Sequence, residues 1–394
     1  MIETRFKDTE VGRIPMDWDT KKIRSIAEVH GRIGFRGYTV NDLVQKGRGA
    51  LVIGGKHISN NYLDLRDPDY ISWAKYYESP EIMVREGDLV IAQRGTLGRV
   101  AHINMNIGPA TINPSLVLLN HIKCNSVFLH LMLSSGECTN RILSMSSQTS
   151  IPMISQLQIE NFPIVFPPIN EQSRIASALN SINNLISSLG KLIEKKRAIK
   201  QGAMQQLLTS KKRLKGFSEP WVKKELGEIL QYEQPTKYLV SSTDYSDNGV
   251  PVLTAGKTFI LGYTNESKGI YNNLPVIIFD DFVTESKYVD FPFKAKSSAM
   301  KMLTLRNDKN NLRFVFEIMQ MIDFPMTDHK RWWIGEYCHV VVKIPSFDEQ
   351  NAIASVLSSM DEEISALEAK REKYIAIKQG MMQQLLTGKI RLID

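Results

Sequence analysis

Apolar residues recur at alternating steps of four and three in two widely separated stretches. Ile175, Leu179, Ile182, Ile186, Leu189 and Ile193 carry the first, and Ile353, Leu357, Met360, Ile364 and Leu367 the second. That spacing draws one narrow stripe along a helix, an a/d seam that needs a partner helix. Asn170-Glu171-Gln172 and Asp348-Glu349-Gln350 follow prolines and put acid in the first turn, as helix N-termini do. About 38 residues at ~1.5 Å each predict a rod of about 57 Å in each stretch. The stripe degrades at Arg371, Tyr374 and their counterparts, then resumes at Ile199, Ala203 and Leu207. Gly202 and Gly380 lie within this part, each costing a helix ~1 kcal/mol relative to alanine. A close approach by a second helix is the expected reason for both.

The two stretches are copies. Residues 167–214 and 345–392 align without a gap, with 27 of 48 positions identical. The identity extends to positions expected on the surface, such as Lys200, Gln201, Gln205 and Gln206, which repeat as Lys378, Gln379, Gln383 and Gln384. Packing alone does not fix surface residues, so two unrelated amphipathic helices are a poor account of the match. A weaker echo sets Trp18, Lys21, Ile23 and Ile26 against Trp221, Lys224, Leu226 and Ile229. Internal repetition on this scale marks a repeated architecture. The predicted order is a variable domain (1–165), a helix (166–211), a second variable domain (212–343) and a second helix (344–394). Two copies of one helix pair naturally with each other about a pseudo-twofold axis. An antiparallel coiled-coil pair would send the variable domains to opposite ends and act as a spacer. The fold class expected is α+β and multidomain.

Both variable regions read as α/β domains dominated by short strands. ALVIGGKHIS, REGDLVIAQRGTLGRVAHI and ATINPSLVLLN in the first are β-rich runs broken by turns, and GVPVLTAGKTFILGYT, LPVIIFDDF and CHVVVKIP continue the style in the second. Basic and small polar residues cluster beside those turns. They are Lys56, His57, Arg94, Thr96 and Arg99 in the first region. The second region has Lys257, then Lys294, Lys296, Ser297, Ser298 and Lys301, then His329, Lys330, Arg331 and Trp332. Such side chains on loops can contact phosphates and base edges; the competing reading is a solvated surface. The formal net charge of +7 and the pI of about 9.1 permit a polyanionic partner without requiring one.

Other features narrow the class. Cys124, Cys138 and Cys338 are an odd number, far apart and without CxxC spacing, which argues against a disulfide framework or zinc site and suits a reducing cytoplasm. The first ten residues carry charges from the third onward and lack an apolar signal region. No apolar run approaches the ~18 residues of a membrane span.

The order of variable domain, helix, variable domain, helix resembles that of the specificity subunits of type I restriction–modification systems. The phrases FPPINEQSRIASALN and KKRAIKQGAMQQLLT, the latter echoed as REKYIAIKQGMMQQLLTG, are similar to theirs. GDLVIAQRGTLGRVA resembles a turn segment of their target recognition domains, and VPVLTAGKTFILGYT with PVIIFDDF resembles one subtype of such domain. The resemblance covers essentially the whole chain and implies a non-catalytic DNA-binding protein. Each domain would read half of a bipartite site in double-stranded DNA, the second domain's subtype implying a GAA-like half-site. The helices would space the domains and dock two modification (methyltransferase) subunits and, optionally, restriction subunits. Glu171, Gln172, Lys200, Gln201, Gln205 and Gln206 are the docking candidates on the first helix. Glu349, Gln350, Lys378, Gln379, Gln383 and Gln384 are those on the second. No cofactor is implied for this chain itself. S-adenosylmethionine would sit in the modification subunits, and ATP with magnesium in the restriction subunits. The unequal lengths of the variable regions depart from strict symmetry.

Catalytic motifs are sparse. The one Pro-Pro pair, Pro167-Pro168, has no Asn or Asp before it, and GRIGFRG lacks the helical pattern that a phosphate cradle needs. Asp281, Glu285 and Lys287 could form a loose metal-dependent nuclease constellation. A single-chain DNA-cleaving or DNA-modifying enzyme is therefore one alternative, and a helical protein-interaction scaffold another.

Overall fold

The computed structural model describes residues 5–146, 152–256, 258–325 and 331–393. The chain forms two compact units, one of Met1–Ser188 with Arg371–Asp394, the other of Leu189–Lys370. The two repeats are single helices, Ile169–Leu207 and Phe347–Leu385, of 39 residues each, and each gives one part to each unit.

In the first unit an antiparallel sheet runs in the order Val100–His102, Leu89–Ala92, Leu116–Asn120, Glu28–Gly31. A second sheet runs Asp69–Ser72, Gly49–Ile53, Ala110–Ile112, Met83–Val84, with Gly49–Ile53 and Ala110–Ile112 parallel. The strands are apolar on both sides because the first sheet is covered on both. Leu89, Ile91, Val117 and Leu119 pack with Phe128 and Leu129 of helix Ser126–Leu133. Val90, Ala92, Leu116 and Leu118 turn to the other side and meet Leu51, Ile53 and Ile112 of the second sheet. The period-2 alternation thus divides one strand between two cores.

The second unit repeats this plan on unlike sequence. Its antiparallel sheet runs Ser286–Val289, Val276–Asp280, Met300–Leu305, Leu230–Glu233. Its smaller sheet runs Ile260–Thr264, Val250–Leu253, Lys294–Ala295, the last two parallel. Ile277, Phe279 and Leu303 face helix Leu312–Met319, while Val276, Ile278, Met300 and Met302 face Leu253 and Ala295. The difference in length between the variable regions is therefore carried outside a common strand order.

The predicted seams are buried at Ile175, Leu179, Leu189, Ile193, Ile353, Leu357 and Ile364. In the second unit, Lys196 pairs with Glu363 at 2.6 Å, Arg197 with Glu368, and Lys200 with Asp361 at 2.6 Å, so the helix halves there run antiparallel. The glycine expectation fails. A Cβ at Gly202 or Gly380 would meet nothing within 4 Å, so no neighbouring helix requires them.

A second correction concerns Glu171, Gln172, Glu349 and Gln350, expected as docking residues. All four are buried. In the first unit Glu171 (2% exposed) accepts from Trp18 Nε1 at 2.8 Å and from Arg391 Nε and Nη2, both at 2.8 Å. In the second, Glu349 (0% exposed) accepts from Trp221 Nε1 at 3.2 Å, and from Arg213 Nε and Nη2 at 2.5 and 2.6 Å. The weak tryptophan echo and the strong helix repeat are thus two sides of one contact. Gln172 donates to Pro167 O and accepts from Asn125 N–H, and Gln350 donates to Pro345 O and accepts from Asn311 N–H. Asn125 and Asn311 each cap the short helix that backs the sheet. These residues fasten each long helix to its own domain.

Candidate nucleic-acid interface

Parallel strands open their carboxyl ends on the same side, where ligands of α/β sheets commonly bind. In the first unit the turns after Gly49–Ile53 and Ala110–Ile112, joined by the hairpin turn after Leu89–Ala92, enclose a cleft of about 420 Å³. It collects Lys56, Arg94 and Thr96 from among the residues singled out in the sequence, and adds Tyr38, Asn113 and Ser115. Gly54 allows this crowding, since a Cβ there would lie 2.6 Å from Asn113 Nδ2. Asn113 Oδ1 accepts from Ser115 N–H and Oγ–H at 3.0 and 2.6 Å, fixing the turn at Asn113-Pro114, which the sequence analysis did not single out.

The basic residues differ in availability. Arg94 is exposed and has no carboxylate partner among the described residues. Arg99 is exposed and donates to Ile58 O. Lys56 is engaged by Asp67 at 3.1 Å and Asp69 at 2.9 Å, and the hydrogen bonds it donates to Asp69 and Asp67 raise its pKa. Its charge is offset. His57 is a correction, because it is buried, accepting Gly54 N–H on Nδ1 at 2.9 Å with Nε2 2.9 Å from Asp67 O. That arrangement fits a neutral ring with its proton on Nε2, stitching the turn from inside.

The corresponding place in the second unit is organised by Asp281, which closes the strand Val276–Asp280. Its N–H donates to Ala299 O at 3.3 Å, its carbonyl accepts Trp332 N–H at 3.0 Å, and Oδ1 accepts Trp333 N–H at 2.8 Å. Its Oδ2 lies 3.2 Å from Lys301 Nζ, with Lys301 at 0% and Asp281 at 1% exposure. Lys301 from the cluster predicted near 294–301 and Trp332 from the one near 329–332 therefore meet on one buried post. Lys301 and Trp332 belong to its interior rather than to the surface. Lys294 is also buried, paired with Glu266 at 2.7 Å and donating to Lys268 O; this lysine holds the Glu266 carboxyl down at about 2. Lys296 and Ser297 are half-buried, with Lys296 Nζ 5.9 Å from the Tyr245 ring centre, while Ser298 and Arg331 are exposed. Lys257, His329 and Lys330 lie outside the described residues.

Asp281 does not serve a nuclease site. Its carboxylate is committed to Lys301 and Trp333, while Glu285 and Lys287 are exposed. Among the described residues no group of three His, Cys, Asp or Glu side chains is placed to hold a metal.

Residues 15–199 and 218–376 match the family described as the type I restriction modification DNA specificity domain. The chain belongs to that family. It is 26% identical over 438 aligned positions to the putative type I restriction enzyme MjaX specificity subunit of Methanocaldococcus jannaschii, covering 99% of this chain and 97% of that one. It is 43% identical over 211 positions to the type I restriction enzyme EcoR124I/EcoR124II specificity subunit of Escherichia coli, a match that takes in 48% of this chain and 52% of that one. The fold resembles the type I restriction–modification S subunit of M. genitalium at a TM-score of 0.63 and 17% identity, over 93% of this chain and 96% of that chain. Specificity subunits are the non-catalytic, DNA-recognising members of their systems, and the enzyme alternatives are not favoured.

On the helices, Gln201, Gln205, Gln206, Gln379 and Gln383 are exposed and Gln384 is half-buried. The two lysines are less free. Lys200 pairs with Asp361 and Glu317, and Lys378 is half-buried with Nζ 5.8 Å from the Tyr62 ring centre, its pKa lowered by burial. No helix among the described residues is long and apolar enough to cross a membrane.

Proposed function

We propose that this chain is the DNA-recognition subunit of a type I restriction–modification assembly, each unit reading one half of a bipartite site in double-stranded DNA. One observation carries the reading. Two units whose larger sheets share one strand order bring their turns together at the same place, yet present different side chains there: Arg94 and Thr96 in one, Ser298 and Arg331 around the buried Asp281 post in the other. A common frame with divergent tips suits two readers of different sequences.

The repeated helices set the spacing between half-sites, and their exposed glutamines dock two modification subunits, with restriction subunits as further partners. Those subunits supply S-adenosylmethionine, ATP and magnesium, and the assembly works in the cytoplasm. The test exchanges residues 212–343 for the equivalent region of a related subunit in cells carrying the modification partners, and reads the methylated motif by genome-wide sequencing. One half-site should change while the other persists. A change in both half-sites, or methylation by the purified chain alone, would overturn the proposal.

A further inference from the structure

The hairpin turn after strand Leu89–Ala92 carries Arg94 and Thr96. Its counterpart in the second unit follows Val276–Asp280 and carries Phe282 and Val283, 40% and 44% exposed. Single apolar side chains on a surface are ordinary. Here two adjacent ones stand at the tip of a turn that is fully stitched. Asp280 Oδ1 accepts from Phe282 N–H at 2.8 Å and Val283 N–H at 3.3 Å, Asp280 N–H donates to Glu285 O at 2.8 Å, and Thr284 N–H donates to Asp280 O at 3.0 Å. The Asp281 post fixes the base of the turn, and Trp332 Nε1 donates to Phe282 O at 3.2 Å. The tip is held out by hydrogen bonds rather than left out by loose packing.

Its neighbours give the partner's chemistry. Arg331 is next to Trp332, whose N–H meets Asp281 O, and Ser298 is next to Ala299, whose carbonyl meets Asp281 N–H. Both are exposed. A cation beside the tip suits a polyanion, but the exposed Glu285 within the turn would repel phosphates. The turn therefore suits a groove, not the backbone. In the major groove the feature that an apolar side chain recognises is the C5-methyl group of thymine.

We infer that Phe282 and Val283 are specificity-determining residues that select A·T pairs in the second unit's half-site by contact with thymine methyl groups. The inference rests on the proposal that this unit reads DNA.

The test uses the full chain assembled with its modification subunits, on duplexes carrying the methylated motif. Each thymine of the second half-site is replaced in turn by deoxyuridine, which removes only the methyl. At one or two positions the wild type should lose about 4-fold in affinity, the equivalent of one buried methylene-sized group. Phe282→Ala or Val283→Ala should bind more weakly and be indifferent to that replacement, and Phe282→Leu should keep the sensitivity. Sensitivity that persists unchanged in both alanine variants, or is absent in the wild type, overturns the inference. So does a loss of subunit assembly with unchanged base preference, which would make the tip a protein contact. Discrimination at the first half-site is the control. Its absence would sink the two-reader proposal itself.

Discussion

Arg391→Met is the sharpest test of how the long helices are tied to their domains. The guanidinium reaches Glu171 through two hydrogen bonds of 2.8 Å and Asp17 through two more, at 2.9 and 2.7 Å. Removing it leaves the Glu171 carboxylate at 2% exposure with, among the described residues, only Trp18 Nε1–H and Leu392 N–H as donors. Stranding one charge of a buried pair costs ~3–5 kcal/mol. At about 2–4 °C per kcal/mol for a unit of this size, the melting temperature should fall by roughly 10 °C. The pH dependence gives a second signature. Hydrogen bonds from Arg391 hold the Asp17 carboxyl below its usual range. Burial works against the charge of Glu171, but Arg391 and Trp18 overcome it, so its pKa is lowered too. Both folded pKa values lie below the unfolded ones, so this contribution is present above about pH 4 and lost as pH falls through the folded values. Without Arg391, burial is opposed only by the hydrogen bonds from Trp18 and Leu392, so the pKa of Glu171 should rise; the lost stability should then be largest near neutral pH and shrink in acid. Thermal unfolding of both proteins between pH 3 and 8 measures this. A melting temperature within about 2 °C of wild type at pH 7 would refute the buried-charge argument.

Lys301→Met should destabilise the second unit by ~3–5 kcal/mol through the stranded Asp281, and adding Asp281→Asn should recover part of it in a denaturant titration. Arg94→Ala should cost ~1–3 kcal/mol at the first half-site and nothing at the second, read by competition binding of the assembled complex. Arg331→Ala should weaken binding to all duplexes and lower the salt slope by about one if it meets a phosphate. Lys56→Ala should change affinity by less than about twofold, because Asp67 and Asp69 already offset its charge; a tenfold loss would show that DNA displaces those carboxylates.

The helices and their repetition were legible because both signals are local. A stripe at steps of three and four marks its own burial, and a gapless copy needs no knowledge of the fold. The strands were legible as runs, but not the sides they bury. Met300-Lys301-Met302-Leu303 sits in a strand covered on both faces, so an interior lysine looks like any other basic residue near a turn. Its partner Asp281 lies on the neighbouring strand's turn, and nothing in the spacing couples them. His57 misled for a similar reason, because its buried hydrogen bonds close a turn three residues long, with Asp67 completing them from the chain beyond.

Identity between the repeats has two physical sources, and burial separates them. Glu171 with Glu349 and Gln172 with Gln350 are identical and buried, because each domain fastens its helix in the same way. That internal contact is sufficient to fix them, and no partner need be invoked. Gln201 with Gln379 and Gln205 with Gln383 are identical and exposed, and their side chains make no hydrogen bond among the described residues. Exposed Ile199 with Ile377 lies on the same stretch of helix. Neither packing nor capping accounts for these pairs. What remains is a surface of glutamines and an isoleucine that occurs twice, which suits the proposed docking of two modification subunits.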